Sequence, residues 1–141
     1  MIYALDTSVV SALRTSRPDD VPAAEWAASV RMDSVYLPAF VLTEIRAGVD
    51  SLRRRDPAQA EILDGWLDFL IATYDGRILD FTFDAAMLAG HMLARPDAPG
   101  VMDGLIAATA RAHGATVVTR NGKDFSRTGV TWVNPWTADA G

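Results

Sequence analysis

Short apolar runs alternate along the chain with longer segments in which apolar residues recur every three or four positions. The short runs predict strands, and the helically spaced segments predict amphipathic helices. Strands are predicted over residues 2–5, 35–37, 77–81, 115–119 and 130–133. Helices are predicted over residues 8–13, 23–31, 38–55, 57–72, 84–94 and 102–113.

Strands that alternate with helices over short connections are typical of an α/β fold, so we predict a three-layer α/β/α domain around a mostly parallel sheet. No repeat or low-complexity segment divides the 141 residues, which suit a single domain spanning 1–141. In such folds ligands bind beyond the carboxyl ends of the strands. Asp6 occupies that position, directly after the first predicted strand.

Two acids have positions that need an explanation. Asp6 begins the segment Asp-Thr-Ser before a helix, so N-capping explains it as well as a functional role does. Glu44 is predicted to face the core, because its neighbours at helical spacing are apolar or small: Phe40, Val41, Ala47 and Gly48. A carboxylate in that position requires an arginine partner, an escape to solvent or a bound cation.

Two further acids follow the same logic. Asp103 opens a helix, where a first-turn acid is the default explanation, and the small residues after it would let a metal or a large ligand approach. Asp124 follows the strand predicted at 115–119, next to the turn dipeptide Asn121-Gly122. We predict that Asp6, Asp103 and Asp124 converge and that Glu44 reaches in from the side.

Several ionised carboxylates share a small site only when cations offset their repulsion. The chain has no cysteine, and oxygen ligands favour Mg²⁺ or Mn²⁺. The chemistry typical of such a site is metal-assisted hydrolysis of a phosphodiester bond. Only two histidines are present, and His91 and His113 are better explained as a structural residue and a helix-end residue than as a catalytic pair.

Four segments in order resemble the signature segments of PIN-domain ribonucleases, above all the VapC/FitB-type toxins of bacterial toxin–antitoxin pairs. They are LDTSVV at 5–10, LTEIRAG at 42–48, MDGLIAATARAHG at 102–114 and VVTRNGKDF at 117–125. The resemblance spans nearly the whole chain. It implies a PIN fold and an Mg²⁺- or Mn²⁺-dependent endoribonuclease that acts as the toxin of a type II pair.

The resemblance also implies residue roles. Three residues match the constant metal-binding, catalytic acids of the family: Asp6, Glu44 and Asp103. Asp124 matches the usual fourth acid, but some relatives place that acid where this chain has Asn121, so both positions stay open. Hydroxyl positions beside the metal site, which would support its ligands, are matched by Thr7, Ser8 and Thr119.

The partners implied by the resemblance are an RNA substrate, single-stranded or structured, and a small antitoxin that occludes the active groove. A homodimer, or a larger toxin–antitoxin assembly, is implied as well. The sequence itself shows no signal peptide and no apolar run of about 20 residues, the length needed to cross a membrane. Together with the lack of cysteine, this predicts a cytoplasmic protein without a membrane partner.

The net charge of −5 weighs against a polyanionic partner, although acids gathered in a metal site would leave the remaining surface less acidic. The basic residues are nearly all arginine, which suits phosphate recognition. We expect RNA contacts from Arg46, Arg120 and Lys123.

Two alternatives remain open. One is an aspartate-dependent phosphotransfer domain, although haloacid-dehalogenase-like enzymes need a second aspartate where this chain has Ser8. The other is a catalytically weak PIN-fold module that binds RNA or protein. Divalent-metal binding by the acids distinguishes both from the nuclease.

Overall fold

The computed structural model describes all residues from Met1 to Gly141. Its single sheet has the strand order β3-β2-β1-β4-β5, and every neighbouring pair is parallel. The strands are β1 (Ile2–Leu5), β2 (Val35–Pro38), β3 (Ile78–Leu79), β4 (Ala115–Val118) and β5 (Trp132–Val133). The predicted three-layer α/β/α fold is confirmed, with the strand that precedes Asp6 at the centre of the sheet.

Seven α-helices connect the strands. They are α1 (Thr7–Thr15), α2 (Val21–Ser29), α3 (Ala39–Arg53), α4 (Pro57–Thr73), α5 (Phe83–Leu93), α6 (Val101–Ala112) and α7 (Gly122–Phe125). Six of them lie within a few residues of the predicted helices. None of the seven combines the length and the apolar character that a membrane span requires.

The structure differs from the predicted elements at three places. Helix α7 replaces the turn expected at Asn121-Gly122. Strand β3 keeps only two of the predicted residues, Ile78 and Leu79, because its partner β2 ends at Pro38 and the chain then enters α3. Strand β5 is also two residues long, with Val130 and Thr131 before it.

Helix α6 is the most deeply buried helix, and its small residues serve packing. A Cβ at Gly104 would lie 3.0 Å from Leu93 Cδ2 on α5. The alanines at 107, 108 and 110 are fully buried. The expectation that small residues here leave open space for a ligand is therefore wrong, because α5 fills that space.

The C-terminal segment folds back along β5. Trp132 N–H donates to the Gly141 carbonyl at 3.0 Å, and Gly141 N–H donates to the Trp132 carbonyl at 2.9 Å. The Trp132 ring lies so close to Gly122 that a Cβ added there would be 2.2 Å from the ring. The four tryptophans are partly buried and pack against the core: Trp26, Trp66, Trp132 and Trp136.

This contact makes Gly122 a sensitive position. We expect Gly122→Ala to lower the free energy of unfolding by about 1–3 kcal/mol, because the Trp132 ring or α7 must move. Gly90→Ala is the control, since no atom lies within 4 Å of its added Cβ and helix propensity favours alanine by up to about 1 kcal/mol. Denaturant unfolding of both variants tests this. An equal increase in the free energy of unfolding in both variants would contradict the tight contact at Gly122.

Candidate active site

Asp6 lies at the junction of β1 and α1. Its N–H donates to the Val118 carbonyl at 2.9 Å, so the backbone still follows the parallel ladder. Its Oδ1 accepts the Thr7 N–H at 2.7 Å. Its Oδ2 accepts the hydroxyls of Thr119 at 2.8 Å and Ser8 at 3.2 Å. Asp6 is also the N-cap of α1, so the N-capping explanation is confirmed and the functional one stays a prediction.

Asp6 is almost removed from water, with 6% of its surface exposed. Burial raises the pKa of this carboxyl above its ordinary value of 3.8, the hydrogen bonds from Thr119, Thr7 and Ser8 oppose that rise, and the charge of Asp124 adds to it. The three donors therefore offset part of the cost of keeping a buried negative charge.

Glu44 is half-buried on α3 and faces α1, where its Oε1 accepts the Thr7 hydroxyl at 2.7 Å. The stripe of α3 that enters the core consists of Val41, Ile45 and Val49. The expectation that Glu44 lies on the buried stripe is wrong, because Ala47 and Gly48 are exposed. Glu44 instead lies beside the stripe, bound by a neutral hydroxyl and by no arginine.

Asp103 lies half-buried in the first turn of α6. Burial raises the pKa of its carboxyl to about 6, and the charges of Asp6, Asp124 and Glu44 contribute to the rise. The four predicted acids therefore share one electrostatic environment. None of them forms a salt bridge with an arginine, a lysine or a histidine.

The fourth acidic position is held by α7. Asp124 is exposed, and its N–H donates to the Asn121 carbonyl at 2.9 Å. Asn121 N–H in turn donates to the Thr119 hydroxyl at 3.0 Å, so one threonine links α7 to Asp6. The charge of Asp124 raises the pKa of both Asp6 and Asp103, whereas Asn121 contributes only a backbone contact. This favours Asp124 over Asn121 as the fourth group.

The carboxylate oxygens of Asp6, Glu44, Asp103 and Asp124 are the groups that could hold a divalent cation, because they have no basic partner and Mg²⁺ prefers oxygen ligands. In this conformation no three acidic or histidine side chains are arranged to coordinate one ion together. Mg²⁺ needs only one or two carboxylates and keeps several waters, so two of these acids would suffice to hold it. The metal role of these acids stays a prediction.

The predicted RNA-contact residues lie in different surroundings. Arg46 donates to Asp50 at 2.8 Å and to Asp64, so it belongs to an exposed ion-pair network between α3 and α4. That engagement weighs against the predicted RNA contact of Arg46. Arg120 packs 4.9 Å from the Trp136 ring, and Lys123 is exposed with no salt bridge.

The two histidines lie outside this group of acids. His113 Nε2 contacts the Asp80 carbonyl at 3.0 Å, at the end of α6. His91 is exposed on α5.

Two polar residues on α1 escaped prediction. Ser11 and Arg14 line a cavity of about 220 Å³ together with Thr7 and Glu44. The signal in the sequence was their spacing, since Thr7, Ser11 and Arg14 follow one another at helical intervals from the first turn of α1.

The PIN domain family model matches residues 3–130. The chain belongs to the PIN-domain family. This PIN domain is 34% identical over 142 residues to VapC ribonuclease Y4jK of Sinorhizobium fredii, covering 96% of this chain and 98% of the relative. It is 32% identical over 137 residues to Toxin FitB of Neisseria gonorrhoeae, covering 94% and 96%.

The crystal structure of FitAcB from Neisseria gonorrhoeae superposes on this PIN domain with a TM-score of 0.84 at 30% identity, covering 96% of this chain and 99% of that chain. The predicted resemblance to the PIN-domain toxins is confirmed. The matches extend over nearly the full length of each relative, and the family-model match at residues 3–130 includes the positions of all four acids.

The raised pKa of Asp103 predicts a pH-dependent stability. Between its unfolded value of 3.8 and its folded value of about 6, the native carboxyl holds a proton that the unfolded one has lost. Stability from this group is therefore greatest below pH 4 and falls as the pH rises to 6. Without divalent metal, Asp103→Asn should raise the melting temperature at pH 7.5 and change it little at pH 4; a pH-independent effect would contradict the shift.

The hydrogen bond from the Thr119 hydroxyl to Asp6 should contribute to stability. Thr119→Val removes the shortest side-chain donor to buried Asp6, so we expect a loss of about 1–3 kcal/mol in the free energy of unfolding at pH 7. Thr116→Val is a matched control on β4, because its hydroxyl contacts only the neutral Thr131 hydroxyl at 2.9 Å. The control should lose less than about 1 kcal/mol. Equal losses would mean that Asp6 does not depend on Thr119.

Proposed function

We propose that this PIN domain is an Mg²⁺- or Mn²⁺-dependent endoribonuclease, the toxin of a type II toxin–antitoxin pair that acts in the cytoplasm. The observation that carries the proposal is the group of four carboxylates at the carboxyl end of a parallel sheet, without a basic partner. The names of its relatives, VapC ribonuclease and Toxin FitB, support both the reaction and the biological role.

The donor set fits the proposed ion. Asp6 and Asp103 would hold it, because burial and the charges of neighbouring acids raise the pKa of both carboxyls and a cation would offset those charges. Glu44 and Asp124 would add two further carboxylates beside that ion, so its surroundings would consist of oxygen atoms, the ligands that Mg²⁺ and Mn²⁺ prefer. When bound, the ion would lower the pKa of a water and neutralise the charge on the phosphate.

The chain's own hydroxyls orient the acids. Thr119 and Ser8 fix one oxygen of Asp6, and the Thr7 N–H fixes the other. The Thr7 hydroxyl holds Glu44 toward the same end of α1. Because these contacts form within the protein alone, the carboxylates of Asp6 and Glu44 are oriented before an ion or an RNA binds, which lowers the cost of assembling the site.

The antitoxin would bind beside these acids. The cavity of about 220 Å³ between α1, α3 and α4 has Glu44 at its edge and an apolar wall formed by Ile45, Val49, Leu63 and Trp66. An apolar wall next to a catalytic acid suits a protein segment that covers the site.

The phosphotransfer alternative is less well supported. Haloacid-dehalogenase-like enzymes need a second aspartate where this chain has Ser8, and the Ser8 hydroxyl donates to Asp6 Oδ2 at 3.2 Å. A module that only binds RNA would explain the fold but not the unpaired acids.

Cleavage of a mixed RNA pool with Mg²⁺, with Mn²⁺ and with EDTA tests the proposal. We expect cutting only with metal, and a loss of at least about 100-fold in Asp6→Asn and in Glu44→Gln, at or beyond the upper end of the effect of residues that only orient ligands. Asp75→Asn is the control, because Asp75 is exposed and forms no salt bridge.

Metal binding gives a readout that does not depend on activity. Millimolar Mg²⁺ or Mn²⁺ should raise the melting temperature of the wild type and of Asp75→Asn, and should not raise that of an Asp6→Asn, Asp103→Asn double variant. Cutting that persists in EDTA would overturn the metal-dependent reaction. RNA binding without cutting under any of the metal conditions would favour the binding module.

A further inference from the structure

A second cavity lies against α1 and has a different character. Its volume is about 280 Å³, and it shares Ser11 and Arg14 with the cavity beside Glu44. Three arginines line it: Arg14, Arg17 and Arg120. Three hydroxyls accompany them, from Ser8, Ser11 and Thr15, and the only carboxylate in the wall belongs to Asp20. We call this cavity the arginine pocket.

The arginines of this pocket have guanidinium N–H groups that are free to bind an anion. Arg14 and Arg17 form no salt bridge, and Arg120 lies 3.5 Å from Asp20, a longer contact than the 2.8 Å pair of Arg46 with Asp50. Two of the guanidinium groups pack on aromatic rings, Arg14 at 5.4 Å from Trp66 and Arg120 at 4.9 Å from Trp136. Stacking orients a guanidinium and leaves its N–H edge available for an anion.

The pocket is coupled to the acids through one residue. Ser8 Oγ donates to Asp6 Oδ2 at 3.2 Å and accepts the backbone N–H of Arg120 at 3.3 Å. Ser8 therefore forms part of the pocket wall and also contacts the buried carboxylate. An anion in the pocket would therefore lie next to the acids, on the surface of the same helix.

The lining indicates the chemistry of the ligand. Ala12 is the only apolar residue in the wall, so a protein segment would gain little from burying apolar side chains there. Arginine and hydroxyl donors without an apolar surface are the groups that bind nucleic-acid phosphates and position the strand without reading its bases.

We propose that the arginine pocket binds a backbone phosphate of the RNA next to the bond that is cut, so that Arg14, Arg17 and Arg120 position the strand over the acids. This inference rests on the proposed nuclease function. Three positively charged side chains would thus contact the same part of the substrate, although the net charge of the chain is −5.

The test measures binding in the absence of cutting. A fluorescent single-stranded RNA is titrated with the full chain in EDTA over a range of salt concentrations. Arg17→Gln and Arg14→Gln should each raise Kd at least about 5-fold, and each should reduce the salt slope of log K by about 0.7 for every phosphate that the arginine neutralises in the wild type. Arg17→Lys should keep the salt slope of the wild type, because it keeps the charge that neutralises a phosphate.

Arg55→Gln is the matched control. Arg55 is exposed after the end of α3, forms no salt bridge and does not line the pocket, so its Kd should stay within about twofold of wild type if the effect is local rather than general. Melting temperatures of all variants should match wild type, since none of these side chains is buried.

Cleavage with Mg²⁺ separates this inference from the proposed function. Arg17→Gln should raise KM and keep kcat, whereas Asp6→Asn should lose kcat. If the wild type cuts RNA and Arg17→Gln binds and cuts as well as wild type, the pocket is not a phosphate site, while the nuclease function stands. A wild type that neither binds nor cuts RNA would overturn both. Weaker binding of a polyglutamate probe, with RNA binding unchanged, would assign the pocket to an acidic protein partner.

Discussion

A carboxylate buried at the end of the central strand is the constraint on which the rest of the site depends. Asp6 is nearly inaccessible to water, so its charge must be met by donors from the protein. The donors come from two directions: Thr7 and Ser8 at the start of α1, and Thr119 after the end of β4. Because β1 has a parallel neighbour on each side, the residues that follow both neighbouring strands are delivered to the same edge.

The distribution of charge matters more than its total. The acids of the site stand without basic partners, while Arg46 and Arg53 are bound by Asp64 on the surface between α3 and α4. Other arginines line the arginine pocket. A net charge of −5 therefore conceals an acidic site and a basic cavity that share Ser8. Net charge alone does not weigh against a polyanionic partner here, since an average over the chain does not describe one face of it.

Periodicity sufficed for the long elements, because a helix of three turns or more buries a stripe that repeats visibly in the sequence. It failed for α7, whose four residues are too few to show a period. The position of Asp6 was predictable, because it directly follows the first strand and ligands in α/β folds bind beyond the carboxyl ends of the strands. The face of Glu44 did not, because Ala47 and Gly48 look apolar in a sequence whether they are buried or exposed.

Contacts between distant segments were also beyond the sequence. The small residues of α6 suggested open space, but only the folded chain shows that Leu93 fills it. The partner of Arg46 on α4 and the shared hydroxyl of Thr119 depend on how elements pack, which composition and spacing do not encode. The resemblance to PIN domains supplied the set of acids, and the structure supplied the reason why they affect one another.

The return of the chain along β5 has a consequence for association. Backbone hydrogen bonds between Trp132 and Gly141 occupy an edge that would otherwise offer free N–H and C=O groups to another molecule. The opposite edge strand, β3, is only two residues long. Neither border of the sheet is a good template for a foreign strand, so edge-to-edge aggregation is disfavoured and stable contacts with other chains must form through helix faces and loops.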